Sequence, residues 1–266
     1  MSIIISPKDF VETYSPNTDV GPWELLQQYY QATKASAELR GGNGGRAGSQ
    51  RIATHLDLPR ARLRAWIDDG GKPDPQHGLE RAHAGGWIEV DTGSSTFEGL
   101  NRLVAQVFSG GTILTDTYRP YFAVDSDDAL DRVVASCGLV GVEYDIYHAD
   151  EIGRATEIRV TTDGAILGRV LTVLGAPLGE KATRDDLSLP NYLDNVGQHL
   201  RLDFARTYVL NRGAIHEDKA TVTISEDRPQ EYRDQVAAFL EETLGQTVTS
   251  GDATITLSAD AARVLQ

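Results

Sequence analysis

Residues 103–113, LVAQVFSGGTI, are an apolar run at helical spacing that passes through two glycines into β-branched sequence. Leu103, Val104, Val107 and Phe108 fall on one side of a helix, and Gly110-Gly111 end it. Ala105 and Ser109 are small and four apart, so they share a face that lets a second helix approach closely. The junction occurs again at residues 204–215, FARTYVLNRGAI. There Thr207 and Asn211 take the places of Ala105 and Ser109, Gly213 that of Gly111, and Ile215 that of Ile113. Two such helix-into-strand units predict an internal duplication, with helices 96–108 and 204–210 packed together at its centre.

The flanking sequence repeats in the same order. After helix 96–108 come strands 112–115 and 118–124, then an amphipathic helix 127–137 with Leu130, Val133, Val134 and Cys137 inward. Val142, Tyr144 and Ile146 alternate as a strand, Ile158 and Val160 as its partner, and helix 164–174 stops at Gly175. A connector, APLGEKATRDDLSLPN, follows. The second round has a helical stretch 192–210 broken near Gly197, strands 214–216 and 221–225, helix 229–244, strands 246–249 and 254–257, and a last helix 259–265. The predicted class is α+β: an all-α N-terminal domain, residues 1–92, then a duplicated αββαββα domain, residues 93–266, with repeats 93–182 and 183–266 and a saddle-shaped antiparallel sheet.

The N-terminal part opens with a loosely structured lead-in, residues 1–20, and a helix over 22–39 carrying Trp23, Leu25, Leu26, Tyr29, Tyr30 and Ala37. After a GGNGG break, residues 49–56 and 59–67 read as two short helices around a tight turn, with Ser49 as N-cap and Pro59 in a first turn. Ile52, Ala53, Leu56, Leu58, Leu63, Trp66 and Ile67 supply one small core, which describes a helix-turn-helix. Residues 78–84 add a further helix. Between Arg40 and Arg64 stand six arginines and one acid, Asp57. That charge favours DNA as the partner over a basic protein-binding module, with Arg46, Ser49, Gln50, Arg51, Arg60, Arg62 and Arg64 as the expected contacts.

The rest of the composition argues the other way. The chain has 39 acidic and 25 basic side chains, a formal net charge of −14. Little Lys, abundant Asp, Glu, Thr and Ala, and a single Met make a composition of haloarchaeal type, in which high net charge keeps a protein soluble in screening salt. The acidity then reports habitat, and the local placement of arginine carries the functional information. Cys137, the sole cysteine, lies in an apolar helix and excludes an intramolecular disulfide or a multi-Cys metal site. No stretch has the length or flanks of a membrane span or signal peptide, so a cytoplasmic protein without membrane contact is expected.

The duplicated unit resembles the LAGLIDADG homing endonucleases, with LVAQVFSGGTI similar to the first motif helix and YVLNRGAI to the second. The connector LGAPLGEKATRDDLSLPNYLDN is similar to the segment that precedes the second motif helix there. The resemblance covers residues 93–266 and implies two central helices packed through small residues, each ending in an acid that holds a divalent metal for DNA hydrolysis. The matching positions are Gly110 and Arg212. Glycine offers no ligand, and arginine repels a metal, so the resemblance implies a scaffold without nuclease activity, metal or cofactor. Asp116, Asp203, Glu217 and Asp218 lie nearby, with surface solvation as their expected role, and His216 is expected on the surface or facing DNA. A helix-turn-helix joined to such a domain is similar to the WhiA regulators, in reversed order. Inteins carry the domain too, but a nucleophilic first residue and a terminal His-Asn are missing. The expected function is sequence-specific binding of double-stranded DNA in transcriptional regulation. Arg119, Arg159, Lys219 and Arg154 would form a second DNA surface on the saddle, beside Glu143, Asp145 and Glu157. The alternatives are an active endonuclease with displaced carboxylates, and a protein-interaction module. Two repeats complete one saddle within a chain, so the expectation does not require a dimer.

Overall fold

The structure, a computed structural model, describes residues 5–39, 45–149, 151, 153–182, 184–216, 218 and 220–265. The chain divides into two compact units, Ser6–Ala84 and the chain from Gly85 onward together with Ile5.

The first unit is helical: α1 (Pro7–Val11), α2 (Pro22–Glu38), α3 (Ser49–Leu56), α4 (Arg60–Ile67) and α5 (Asp74–Ala84). Helix α1 lies where a loose lead-in was expected. Ser6 accepts the Asp9 amide as its cap, and Phe10 and Val11 are wholly buried, so two apolar side chains anchor five residues too short to hold as a free helix. Leu25, Ala32, Ala35, Ala47, Ile52, Ala53, Leu63 and Trp66 form the core that holds α2, α3 and α4 together. The turn between α3 and α4 runs through Asp57 at φ 53°, a left-handed conformation that Asp tolerates, and the Leu58 amide returns to the Ala53 carbonyl. Two expected caps are corrected. Gly48 is the N-cap of α3, with Ser49 its first residue, and Pro59 is the N-cap of α4 rather than part of its first turn.

The second unit mixes helices with antiparallel sheet. It contains α6 (Ser95–Ser109), β1 (Gly111–Ile113), β2 (Pro120–Val124), α7 (Asp127–Val140), β3 (Tyr144–Tyr147), β4 (Thr156–Val160) and α8 (Gly164–Val173). After a 3-10 turn at Asn191–Asp194 come α9 (Gln198–Arg212), β5 (Gly213–His216), β6 (Thr221–Ser225), α10 (Gln230–Leu244), β7 (Val248–Ser250), β8 (Thr254–Leu257) and α11 (Ala259–Val264). The strands make two four-stranded sheets, β1-β2-β4-β3 and β5-β6-β8-β7, where one saddle-shaped sheet was expected. Gly111 pairs with Phe122 in the first as Gly213 pairs with Ile224 in the second. Phe122, Val124, Ile158 and Val160 turn inward from the first sheet, and Val222, Ile224, Ile255 and Leu257 from the second.

Helices α6 and α9 pack against each other. Ala105, Ser109, Thr207 and Asn211 are all buried, and the Asn211 amide donates to Ser109 Oγ at 3.3 Å. Asn101 donates to the Leu200 carbonyl and accepts from Tyr192 Oη, which closes polar bonds inside an apolar layer. Trp87 is buried and donates from Nε1 to the Val140 carbonyl, within the unit that begins at Gly85.

Candidate nucleic-acid interface

Helix α4 presents its residues to three different surroundings. Leu63 and Trp66 enter the core. Arg60, Ala61, Arg64 and Ala65 are exposed. Arg62 points to α2, where its guanidinium donates to Gln28 Oε1 at 2.5 Å and pairs with Asp19, leaving its side chain 13% exposed. The expectation that Arg60, Arg62 and Arg64 all fall on exposed sides is therefore corrected at Arg62, which joins the loop before α2 to α4. Arg60 and Arg64 are one turn apart and share one face.

Helix α3 contributes Gln50, Arg51, Thr54 and His55, all exposed, and with Arg60 they line one concavity. Arg46 is exposed just before it. Ser49 is buried: its amide and hydroxyl donate to the two Asp68 oxygens at 3.0 and 2.5 Å. Those bonds hold the Asp68 carboxyl below the usual carboxylate range, helped by Arg60 and Arg64. Ser49 is thus occupied in fixing α3 to the end of α4. Arg40 lies outside the described residues.

The sheets present little positive charge. Arg119 is exposed in the turn before β2, and Arg154 pairs with Glu151 in the loop before β4. Arg159 on β4 lies between the rings of Tyr121 and Tyr147, at 4.9 and 4.4 Å from their centroids, and pairs with Glu157. Asp145 stands directly opposite it on β3. On the second sheet the outward positions are Ala214, His216, Thr221, Thr223, Ser225, Thr249, Thr254 and Thr256. Lys219 lies outside the described residues.

At the ends of α6 and α9 the side chains do not suit a divalent cation. A Cβ on Gly110 would stand 2.2 Å from Asn211 Nδ2 and 2.5 Å from the Ala123 carbonyl, so no carboxylate fits there. Arg212 donates to the Ser109 carbonyl at 3.0 Å and the Ser225 carbonyl at 2.7 Å. Two further cations converge on the same helix end. Lys181 Nζ donates to the Val107 and Gly111 carbonyls, and Arg228 Nη2 to the Phe108 carbonyl at 2.6 Å. Their one carboxylate is Glu226, wholly buried, which accepts from Tyr208 Oη at 2.7 Å and lies 3.3 Å from Arg228 Nε. Burial, with Arg228 and Arg212 close by, pushes the Lys181 amine down to about 7 against the pull of Glu226. A negative helix C-terminus is a natural place for cations, and here three side chains fill it from within the chain.

The sequence reasoning missed this cluster. Lys181 falls in the connector, and Glu226 and Arg228 fall between the expected strand 221–225 and helix 229–244, where no periodicity marks them. The nearby acids are placed elsewhere. Asp203 pairs with Arg102 and Arg132, Asp116 and Asp218 are exposed in turns, and Glu217 lies outside the described residues. His216 Nε2 bonds Thr223 Oγ1 at 3.0 Å. Among the described residues, no three or more His, Cys, Asp or Glu form a group that could hold a metal. Among them, too, no helix is long and apolar enough to cross a membrane.

Charge divides with the units. Residues 1–84 carry ten basic and ten acidic side chains, whereas residues 85–266 carry fifteen and twenty-nine. The whole net charge of −14 therefore belongs to the second unit.

No protein-family model matches the chain, and no curated protein matches it. Among solved structures it is similar to the N-terminal LAGLIDADG domain of DUF199/WhiA, at 13% identity and a TM-score of 0.45, over 68% of this chain and 87% of that one. Full-length DUF199/WhiA from Thermatoga maritima matches at 11% identity and a TM-score of 0.44, over 68% of this chain and 59% of that one. I-DmoI, solved in complex with DNA and Mn, matches at 10% identity and a TM-score of 0.40, over 63% of this chain and 93% of that one.

Proposed function

We propose that the chain is a sequence-specific binder of double-stranded DNA that works in transcriptional regulation and does not cut its target. The observation that carries the reading is the exposed cluster of Arg51, Arg60 and Arg64 with Gln50, Thr54 and His55 on the α3–α4 pair. These are the side-chain types that bond phosphates and base edges, set on a helix-turn-helix small enough for a major groove. The cluster lies in the electrically neutral part of a chain whose remainder is strongly acidic, so polyanion binding is concentrated there. The unit from Gly85 is a duplicated scaffold whose helix ends carry Gly110 and the tethered Arg212 where the resemblance implies carboxylates. Their chemistry opposes metal-assisted hydrolysis and supports the non-enzymatic reading.

Selection of bound sequences from random DNA with the full chain, followed by titration of the selected duplex, tests this. Arg64→Ala and Arg60→Ala are expected to weaken the selected duplex by about 1–3 kcal/mol where they read a base, and random DNA less. Arg62→Ala is expected to lower stability and leave the sequence preference intact. A chain that selects no sequence, or that cuts the duplex with Mg²⁺ or Mn²⁺, overturns the proposal.

A further inference from the structure

Helix α3 begins without a side-chain cap of its own. Its N-cap is Gly48, which offers no oxygen to the first amides. Asp68 supplies the acceptors from the end of α4: Oδ1 accepts from the Ser49 amide at 3.0 Å and Oδ2 from the Ser49 hydroxyl at 2.5 Å. Its own helix gives no reason for a carboxylate there, because Asp68 is the C-cap of α4, the end where the helix dipole disfavours negative charge. An asparagine could bond the amide and the hydroxyl of Ser49 without a charge, and a Ser or Thr at position 48 would cap α3 locally.

The charge also lies among the arginines. Asp68 lines the same concavity as Gln50, Arg51, Thr54, His55 and Arg60, and it is the one acid among the described residues that line it. Arg60 and Arg64 are close enough to favour its charged form. A helix N-terminus beside arginines is the kind of place where a backbone phosphate docks. Here a carboxylate of the chain already holds it.

We infer that Asp68 is a specificity-determining residue of the DNA-binding site: its carboxylate keeps phosphate out of the α3–α4 concavity and so weakens binding to random sequence more than binding to the selected one. The inference rests on the DNA-binding reading. Non-specific binding is almost entirely attraction to phosphate. In that mode the arginines track the backbone and bring Asp68 against phosphate oxygens. In the specific mode the same face meets base edges, where the amino groups of cytosine and adenine are donors that a carboxylate can meet without repulsion. A like charge set against the wrong mode is the repulsive half of specificity.

Titration of the full chain with the selected duplex and with random duplex reads the difference. Asp68→Asn removes the charge and keeps an acceptor for the Ser49 amide. It is expected to tighten random DNA by about three- to tenfold near about 0.1 M salt, and the selected duplex by less, so that the preference between them falls. A residue that only held α3 to α4 would weaken binding when changed, and would not strengthen it. Asp69→Asn removes the same charge one residue along, from an exposed position that does not line the concavity, and is expected to move both affinities little. Circular dichroism checks that both variants keep their fold. The inference is overturned if Asp68→Asn leaves random DNA unchanged or weaker, if it tightens both duplexes equally, or if Asp69→Asn gives the same gain. A parent that selects no sequence overturns the DNA-binding reading and this inference with it, whereas a parent that selects its duplex while Asp68→Asn gains nothing overturns this inference alone.

Discussion

A Cβ on Gly110 would meet Asn211 Nδ2 and the Ala123 carbonyl, and the second of these belongs to strand β2 and cannot swing aside. Gly110→Ala is therefore expected to cost about 1–3 kcal/mol of stability, read by denaturant unfolding, and Gly110→Asp at least as much. A Cβ on Gly213, the counterpart of Gly111 in the second repeat, would likewise stand 2.7 Å from the Val209 carbonyl. Lys181 gives a prediction of a different kind. Its amine titrates near 7 in the folded chain, and at the ordinary lysine value in the unfolded one. The unfolded state therefore binds more protons between those values, and stability rises with pH across that window, by at most about 1.4 kcal/mol per pH unit. Below pH 7 both states are protonated and the full penalty for burying the charge stands. Lys181→Met is expected to flatten the dependence between pH 7 and 10, and a slope unchanged by that substitution would mean the amine is already charged and solvated.

At the scale of elements, most of the second unit was legible because its boundaries are chemical. Gly175 after α8, Gly197 before α9 and Gly245 after α10 mark helix ends, and the alternation of Val222 with Ile224, and of Ile255 with Leu257, marks strands buried on one face. Three features were not legible. Helix α1 has too few residues for periodicity to register. The inward turn of Arg62 depends on Asp19 and Gln28, tens of residues away in sequence, and a helical wheel cannot contain them. The cations under α6 come from three segments that only the fold brings together. The Ser49–Asp68 bond likewise joins two helices. Asp68→Ala is expected to lower the thermal midpoint of the helical unit, and Ser49→Ala added to it should cost little more, since both remove one contact. The Asp68 carboxyl titrates low when folded, so this stabilisation is present above the ordinary aspartate value and fades as the pH falls through the folded one.

For the whole molecule, the segregation of charge sets how binding must depend on salt. If DNA meets only the helical unit, the exposed arginines among the described residues of its α3–α4 region are Arg46, Arg51, Arg60 and Arg64, which bounds the phosphate contacts they can make. Each neutralised phosphate contributes about −0.9 to the slope of log K against log salt, so the slope is expected to be no steeper than about −4 per bound chain. Arg62 does not add to it, because Asp19 already neutralises that guanidinium. The acidic unit works in the opposite sense. At low salt its field reaches tens of ångströms and slows approach to DNA; in molar salt the screening length falls to about 3 Å and only direct contacts remain. Association is therefore expected to be slower at low salt than the arginines alone would give, and to recover as salt is added before phosphate competition takes over. Stopped-flow association across a salt series separates the two effects, since steering acts on the on-rate and contacts act on the off-rate. An on-rate that only falls as salt rises, together with a slope well beyond −4, would place further cations on DNA. Arg119 and Arg154 beside the sheets would then be the first to change to alanine.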